Sequence, residues 1–476
     1  MKQYILPKKI LSFESIENID SLFIDKDKYA CIIPGDDKIK FCAKIEGKGA
    51  HLLIDFGKEM HGGIRFITDW VQLGSCKVRI RFGESYGEVN SSIGEKNATN
   101  DCSPRDFEYV IPAYGDIIIG ATGFRFVRID VLEDKYIFIK NIFCENHILS
   151  KPLIYKYDGE DKLIKQIFNT AKRTVDLCSS GEVIWDGIKR DRLLWIGDLA
   201  PEVMALTSMY GRVKTIETSL ERAVKMYPLP GYMNNMFSYS LWWLIILGIY
   251  YNDLKCSDYV MKHLDYMQGL IAQLDKDIND RGEIPTNVRS IVDWPSVGSV
   301  DENVGNLVIV ILSLNSVENI FDDFNLDKTH LINVRNKAYL NDLSVKEMKQ
   351  IIGLKYAATG KMSDEEYETL IRGGAKGFST FMSYYILSAI ASRDEQLAIK
   401  LMKDYYGAML SRGATTFFED FDIEWLNNSG RIDEKTPEGL LDLHGDFGKH
   451  CYVGYRHSLC HGWSSGVIKF IKEHCK

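Results

Sequence analysis

At about Asp158 the spacing of apolar residues changes period, and that change constrains the fold more than any other feature of the chain. Before it, short β-branched or alternating runs are separated by clusters of Gly, Asn, Asp and Ser. The runs are Ala30–Ile33, His51–Asp55, Gly63–Ile67, Lys77–Phe82, Tyr109–Ile111, Asp116–Ile119, Phe124–Ile129 and Lys135–Ile139. A period of two puts alternate side chains on one core, so residues 1–150 read as an antiparallel β-sandwich domain. After it, residues such as Leu163, Ile164, Ile167, Phe168 and Ala171 recur at helical spacing.

That helix is expected to run to about Cys178. Ten more are expected at 198–210, 213–226, 237–252, 257–275, 303–320, 330–353, 364–372, 378–391, 394–410 and 462–473. No fixed repeat links them, which disfavours a solenoid. Long helices joined by loops of unequal length suit a closed toroid, which gathers its long loops at one end. Residues 151–476 are therefore expected to form a second, mainly α, domain.

Composition excludes several classes of function. The net charge is −8 and no basic stripe is present, so nucleic acid is not the expected partner. The N-terminal segment MKQYILPKKILSFES is too polar for a secretory signal. Leu241–Tyr251, the most apolar run, is too short to span a bilayer and reads as a buried helix. The 10 cysteines contain no CxxC pair, so free buried thiols are expected rather than disulfides. These features point to a soluble cytoplasmic protein without a membrane partner. Oligomeric state is not readable.

Chemistry concentrates in three long loops of the helical half. The first, Trp185–Asp198, packs Asp186, Asp191 and Asp198 among Arg190, Arg192, Trp185 and Trp195. Asp198 also reads as the N-cap of the next helix. The second, Asp280–Asn303, carries Asp293, Trp294 and Glu302. The third, Gly413–Gly466, carries Glu419 and four of the 10 histidines, His444, His450, His457 and His461. Carboxylates exchange protons, guanidinium groups hold hydroxyls and indole faces cover sugar rings, so the mixture suits glycoside chemistry. A solvated, salt-bridged loop has the same composition. The histidine spacings fit no helical zinc motif, so no metal and no cofactor is expected. Only Trp70 of the eight tryptophans lies before residue 150, which places the expected chemistry in the helical half.

Three of these stretches together resemble glycoside hydrolase family 78, the α-L-rhamnosidases. The family's Asp-Cys-Pro-x-Arg-x-Glu-Arg-x-Gly-Trp-x-Gly-Asp motif is similar to Asp186-Gly-Ile-Lys-Arg190-Asp191-Arg192-Leu-Leu-Trp195-Ile-Gly197-Asp198. Its Gly-Ala-Thr-Thr-x-Trp-Glu resembles Gly413-Ala-Thr-Thr-Phe-Phe418-Glu419, its Gly-Asp-Trp resembles Val292-Asp293-Trp294, and its Ser-Leu-Asn-His resembles Ser458-Leu-Cys-His461. In the β half, Leu53–Gly57, Arg81–Glu84 and Gly123–Arg128 resemble accessory segments of that family.

The resemblance implies an (α/α)6 toroid behind a β-sandwich, and an inverting hydrolase that removes terminal α-L-rhamnosyl or similar deoxy-sugar residues. It puts Asp191 in the place of the general acid and Glu419 in that of the general base. It puts Asp186, Arg190, Trp195, Asp198, Trp294 and His461 at sugar-binding positions. The sequence departs from the pattern in having Asp where the acid is Glu, and in having Gly187-Ile188 for Cys-Pro, which is expected to loosen the loop. The family's usual C-terminal β-domain is not expected after the last helix. Two alternatives remain open: a catalytically silent carbohydrate-binding protein, and a toroid hydrolase of uronic-acid sugars in which Arg190 and Arg192 hold a substrate carboxylate.

Overall fold

The computed structural model describes residues 2–23, 43–450 and 452–475. The run Ala30–Ile33 lies outside them. Nine strands are described: β1 (Lys2–Ile5), β2 (Lys9–Glu14), β3 (Ile16–Glu17), β4 (Ala43–Glu46), β5 (His51–Val71), β6 (Ser75–Gly83), β7 (Asp106–Pro112), β8 (Asp116–Val131) and β9 (Tyr136–His147). All the pairings are antiparallel. The main path runs β3-β4-β9-β5-β8-β6-β7, with β1 on β9 and β2 on β5.

The expected runs His51–Asp55 and Gly63–Ile67 are two halves of the single strand β5. Likewise Asp116–Ile119 and Phe124–Ile129 are both part of β8. The polar residues between the runs mark bulges rather than chain reversals, because the β5–β8 register shifts between Asp55 and Met60 and again between Gly62 and Ile64. Gly62 permits close approach there: a Cβ would stand 2.0 Å from the Glu145 carbonyl oxygen. Leu52, Ile54, Phe66, Ile80, Phe124 and Ile142 fill the core of this half.

Beyond the short helix α1 (Tyr86–Asn90) in the β half, the helices are α2 (Lys162–Cys178), α3 (Leu199–Tyr210), α4 (Lys214–Met226), α5 (Phe237–Leu254), α6 (Ser257–Val260), α7 (Leu264–Asp277), α8 (Glu302–Asp323), α9 (Thr329–Ala338), α10 (Lys349–Thr359), α11 (Asp364–Ile371), α12 (Ser383–Ala391), α13 (Glu395–Ser411) and α14 (Val467–His474). Six of them pack in succession: α3 on α5, α5 on α8, α8 on α10, α10 on α12 and α12 on α14. α14 returns to α3, which closes the series. Sequence explains the membership. Every residue of α3 is buried, and α5 is apolar all round, whereas α2 and α4 are apolar on one side only. Helices without a polar face must be covered on all sides. α8 is long and apolar enough to cross a membrane by composition, but most of its apolar window is covered inside the protein.

The expected helix 330–353 is two helices, α9 and α10. Asp342 folds the chain between them, accepting hydrogen bonds from Ser344 N at 3.0 Å and Ser344 Oγ at 2.7 Å. The carboxylate of Asp301 then accepts the backbone N–H groups of Lys346, Glu347 and Met348 just before α10 begins. An aspartate 45 residues away in sequence, at the start of α8, supplies the stop signal that periodicity did not show.

Among the described residues the cysteines are free thiols, all buried except Cys102.

Candidate active site

Backbone hydrogen bonds join three distant segments into one layer. Gly462 N donates to Asp186 O at 2.8 Å, His461 N to Phe417 O at 3.1 Å, and Glu419 N to Ser458 O at 3.0 Å. Gly187 and His461 also form an antiparallel bridge. The two threonines of Gly-Ala-Thr-Thr anchor this layer. Thr415 Oγ1 accepts from Glu59 N of β5 at 2.8 Å, and Thr416 Oγ1 donates to Leu459 O at 2.8 Å. Thr380 Oγ1 and the Trp463 indole N–H both donate to Glu419 O, at 2.6 and 2.9 Å. The backbone of Glu419 is thus fixed by three hydrogen bonds. No helix starts there, so Glu419 is not part of a capping box.

These segments open onto a cleft of about 210 Å³ lined by Asp186, Asp191, Trp195, Asp198, Trp294, Glu419 and His461, with Met236, Tyr239, Arg289, Ile291, Tyr452 and Trp463. Seven of the eight expected site residues face one space. Arg190 lies behind it, and both carboxyls assigned to acid–base work meet on its guanidinium. One nitrogen donates to Glu419, and the other stands 2.9 Å from Asp191. Arg190 Nε donates to Arg456 O at 2.9 Å, and the ring of Tyr452 lies 3.5 Å beneath the guanidinium. Arg192 turns away, donating to Ala121 O at 2.7 Å and stacking 4.8 Å over Trp185. Neither arginine is placed to hold a substrate carboxylate.

Asp191 and Arg192 have φ of +50° and +57°, so two consecutive non-glycine residues adopt the left-handed conformation. Strain of this kind persists where surrounding contacts over-determine the backbone. Those contacts are here. Ile188, expected to loosen the loop, is completely buried with Ile148, Leu177, Cys178 and Cys460, and pins it instead. Lys189 donates to Tyr455 O and His457 O at 2.9 and 2.5 Å.

The carboxyls of the cleft differ in charge state. Burial pushes Glu419 up, but the Arg190 guanidinium that pairs with it outweighs burial, so Glu419 is held well below the usual carboxylate range. Burial, reinforced by Asp198, pushes Asp186 well above that range. Asp198 is pushed up to about 8, chiefly by burial, although a hydrogen bond from Tyr239 Oη at 3.2 Å opposes the shift. Burial lowers His461 to about 3, so its imidazole is neutral, 3.9 Å from Asp186 and 4.0 Å from Asp198. At neutral pH the cleft therefore holds an ionised Glu419 beside a protonated Asp198, with Asp186 shifted in the same direction as Asp198.

Asp198 does not cap α3 as expected. Its side chain makes no capping hydrogen bond and its own backbone is helical, because a short 3-10 turn (Ile196–Asp198) precedes the helix. The carboxyl is directed into the cleft. The charge-rich loop is not a solvated face either, since Asp186, Arg190 and Asp198 are all buried.

Sequence reasoning missed Tyr239, Arg289, Met236, Ile291, Tyr452 and Trp463. Trp463 stood two residues after His461 and stacks on it at 4.0 Å, so its motif held the signal. Tyr239 and Met236 come from the start of α5, which reads only as core. The β half also reaches the cleft: the Cys102 thiol lies 3.8 Å from Asp191, and Asp101 pairs with Arg456 at 2.7 Å.

A buried cluster behind the cleft, Glu84, Glu88 and His444, brings its ligand-type atoms within 4.8 Å of one another. The ammonium of Lys189 sits among them, 3.0 Å from Glu84 and 3.4 Å from Glu88. One internal cation thus pairs with both acids, and Glu84 also accepts Leu459 N at 2.6 Å. The group ties the β half to the site loops.

No protein-family model matches the chain, and no curated protein matches it by sequence. Solved structures do. A rhamnosidase from Klebsiella oxytoca with rhamnose bound superposes with a TM-score of 0.73 at 17% identity, covering 99% of this chain and 96% of that one. The family 78 rhamnosidase of Bacillus sp. GL1 gives 0.65 at 15% identity, covering 95% of this chain and 48% of that one. The α-L-rhamnosidase of Streptomyces avermitilis complexed with L-rhamnose gives 0.64 at 12% identity, covering 90% and 43%. The chain spans less than half the length of the last two. An antiparallel sheet joined to a closed series of helices is therefore the fold that this chain shares with the family 78 α-L-rhamnosidases.

Proposed function

We propose that the chain is an inverting glycoside hydrolase that removes terminal α-L-rhamnosyl or similar deoxy-sugar residues. In this reading residues 1–150 are an accessory β-sandwich and residues 151–476 an (α/α)6 toroid, with the cleft at one mouth of the ring. One observation carries it: Asp191 and Glu419, 228 residues apart in sequence, share the guanidinium of Arg190 inside a single cleft. Two carboxyls so held are separated by about a guanidinium and two hydrogen bonds, the scale of the water-sized gap that inversion uses.

Glu419, kept ionised by Arg190, activates the attacking water. Asp191 protonates the leaving oxygen. Asp186, Asp198 and the neutral His461 line the floor as hydrogen-bonding partners for hydroxyls, with Arg190 positioning the two carboxyls. Trp195 and Trp294 cover the ring. Met236 and Ile291 add an apolar wall, which suits a deoxy-sugar methyl better than a carboxylate. The partner is a carbohydrate, with no nucleic acid, membrane, metal or cofactor in the proposal, and the location proposed is cytoplasmic.

The test is hydrolysis of nitrophenyl and disaccharide α-L-rhamnosides, with the anomer first released followed by proton NMR. Appearance of the β-anomer supports inversion. The Glu419→Gln variant should lose turnover by about 10²–10⁴-fold while still binding rhamnose. A fully active variant, or initial release of the α-anomer, defeats the assignment.

A silent sugar-binding protein is the second reading, favoured by the ion pair that holds the Asp191 carboxyl on Arg190. Rhamnose binding without hydrolysis of any rhamnoside would select it.

A further inference from the structure

A second cavity, of about 630 Å³, has no lining residue in common with the cleft. Its volume lies within the range of small-molecule sites. Phe378 and the half-buried Trp425, which stacks on Phe447 at 5.4 Å, give it flat apolar walls.

A buried cation on its wall has no acid to answer it. Lys349 is only 8% exposed. Two of its three donors go to Arg372 O and Gly374 O, at 2.7 and 2.9 Å, and the ammonium lies 5.3 Å over the Phe378 ring. No carboxylate pairs with it among the described residues. Carbonyl oxygens and a ring face solvate a buried ammonium without cancelling its charge. Holding the loop 372–377 does not require that charge. The adjacent Gln350 ties the same loop with a neutral amide, donating to Gly377 O at 2.9 Å. Burial, and then the repulsion of Arg372, lowers Lys349 to about 8, a shift that a bound anion would reverse.

Arg372 and Lys449 line the same cavity and also pair with no acid among the described residues. The other charges of the lining are mostly engaged. Lys376 pairs with Glu424 at 2.9 Å. Asp420 accepts Lys449 N and His450 N at 3.1 and 3.3 Å, and Asp422 accepts Glu424 N at 2.9 Å. Glu347 stands exposed on the lining. Three cations without acid partners suit a ligand of more than one negative charge, and a phosphate monoester carries about −1.5 to −2 at pH 7.

We propose that this second cavity binds a small phosphate monoester that carries a ring, with Lys349, Arg372 and Lys449 taking the phosphate and Trp425 the ring. The site is separate from the cleft and does not depend on the glycosidase reading.

The experiment is calorimetric titration of the full chain with phenyl phosphate, inorganic phosphate and benzoate, with and without saturating L-rhamnose. Phenyl phosphate should bind about tenfold more tightly than either control at low salt, and less tightly at high salt. Arg372→Gln and Lys449→Gln should each weaken it by about tenfold, and Lys349→Met should abolish it. Trp425→Ala should reduce its affinity to that of inorganic phosphate. Arg372 and Lys449 are exposed, so their substitution tests the idea even if Lys349→Met does not fold. L-Rhamnose should leave the affinity unchanged. The proposal is overturned by an absence of phenyl phosphate binding, by equal binding of benzoate, by an affinity that survives Arg372→Gln and Lys449→Gln or Trp425→Ala, or by displacement with L-rhamnose, which would put the ligand in the cleft.

Discussion

Arg190 and Glu419 form an ion pair whose side chains are 4% and 1% exposed. A pair so buried holds the site together only while both members are present, since either charge alone would be stranded away from water. Arg190→Met should therefore destabilise the protein by about 3–5 kcal/mol, while the double variant Arg190→Met/Glu419→Gln should recover much of the loss. Chemical denaturation of the four proteins measures the coupling. Equal stability of Arg190→Met and wild type would show that the pair carries no such energy.

Asp191 tests the proposed chemistry through the leaving group. An acid catalyst matters most when the departing oxygen is strongly basic. Asp191→Asn should lower kcat for disaccharide rhamnosides by about 10²–10⁴-fold and for nitrophenyl rhamnoside much less. Comparable losses on both substrates would remove the residue from the proton-donor role.

Asp198 and Glu419 give opposite slopes to stability against pH. The folded pKa of Asp198 is about 8, above the unfolded value of roughly 3.9, so the folded state binds the extra proton. Its contribution is fully present below pH ~4 and is lost as pH rises through about 8. Glu419 is depressed, so its contribution is present above pH ~4.3 and is lost as pH falls through its folded pKa. Thermal unfolding of Asp198→Asn should accordingly fall less steeply between pH 5 and 9 than that of wild type, by a margin that grows with pH. Parallel curves for the two proteins would show that Asp198 is ionised in the fold.

Gly462 has a steric reason to be glycine. A Cβ there would lie 2.2 Å from the carboxyl carbon of Glu202, whose oxygens have no hydrogen-bond partner among the described residues and whose residue is completely buried. Burial, with Asp198 and Asp186 nearby, pushes Glu202 well above the usual carboxylate range. Gly462→Ala should cost about 1–3 kcal/mol of stability and displace His461 and Trp463, weakening rhamnose binding. Calorimetry and a denaturation midpoint check both. Gly462→Ala/Glu202→Ala should restore most of the stability, and a double variant no better than the single would point to another clash.

The two-part plan of the chain was legible because burial imposes its period directly on sequence: period two up to Lys135–Ile139, helical spacing from Leu163. Breaks set by distant partners were not legible. The stop between α9 and α10 is set by Asp342 locally and by Asp301 from 45 residues away, and no local pattern registers the second. Polar residues inside β5 looked like turns because a bulge and a turn use the same residues.

Motif order brought Asp186, Asp191, Asp198, Trp294, Glu419 and His461 forward as a group, since each type is scarce in a core and each sits in a long loop. Sequence by itself thus determined which residues are chemically able to form a sugar site, and which half of the chain carries most of them. Only the tertiary structure decided their state. The ion pair with Arg190 keeps Glu419 charged, while desolvation pushes Asp186 and Asp198 above the usual carboxylate range. Those effects depend on distance and on exclusion of water, which a linear order of residues does not contain.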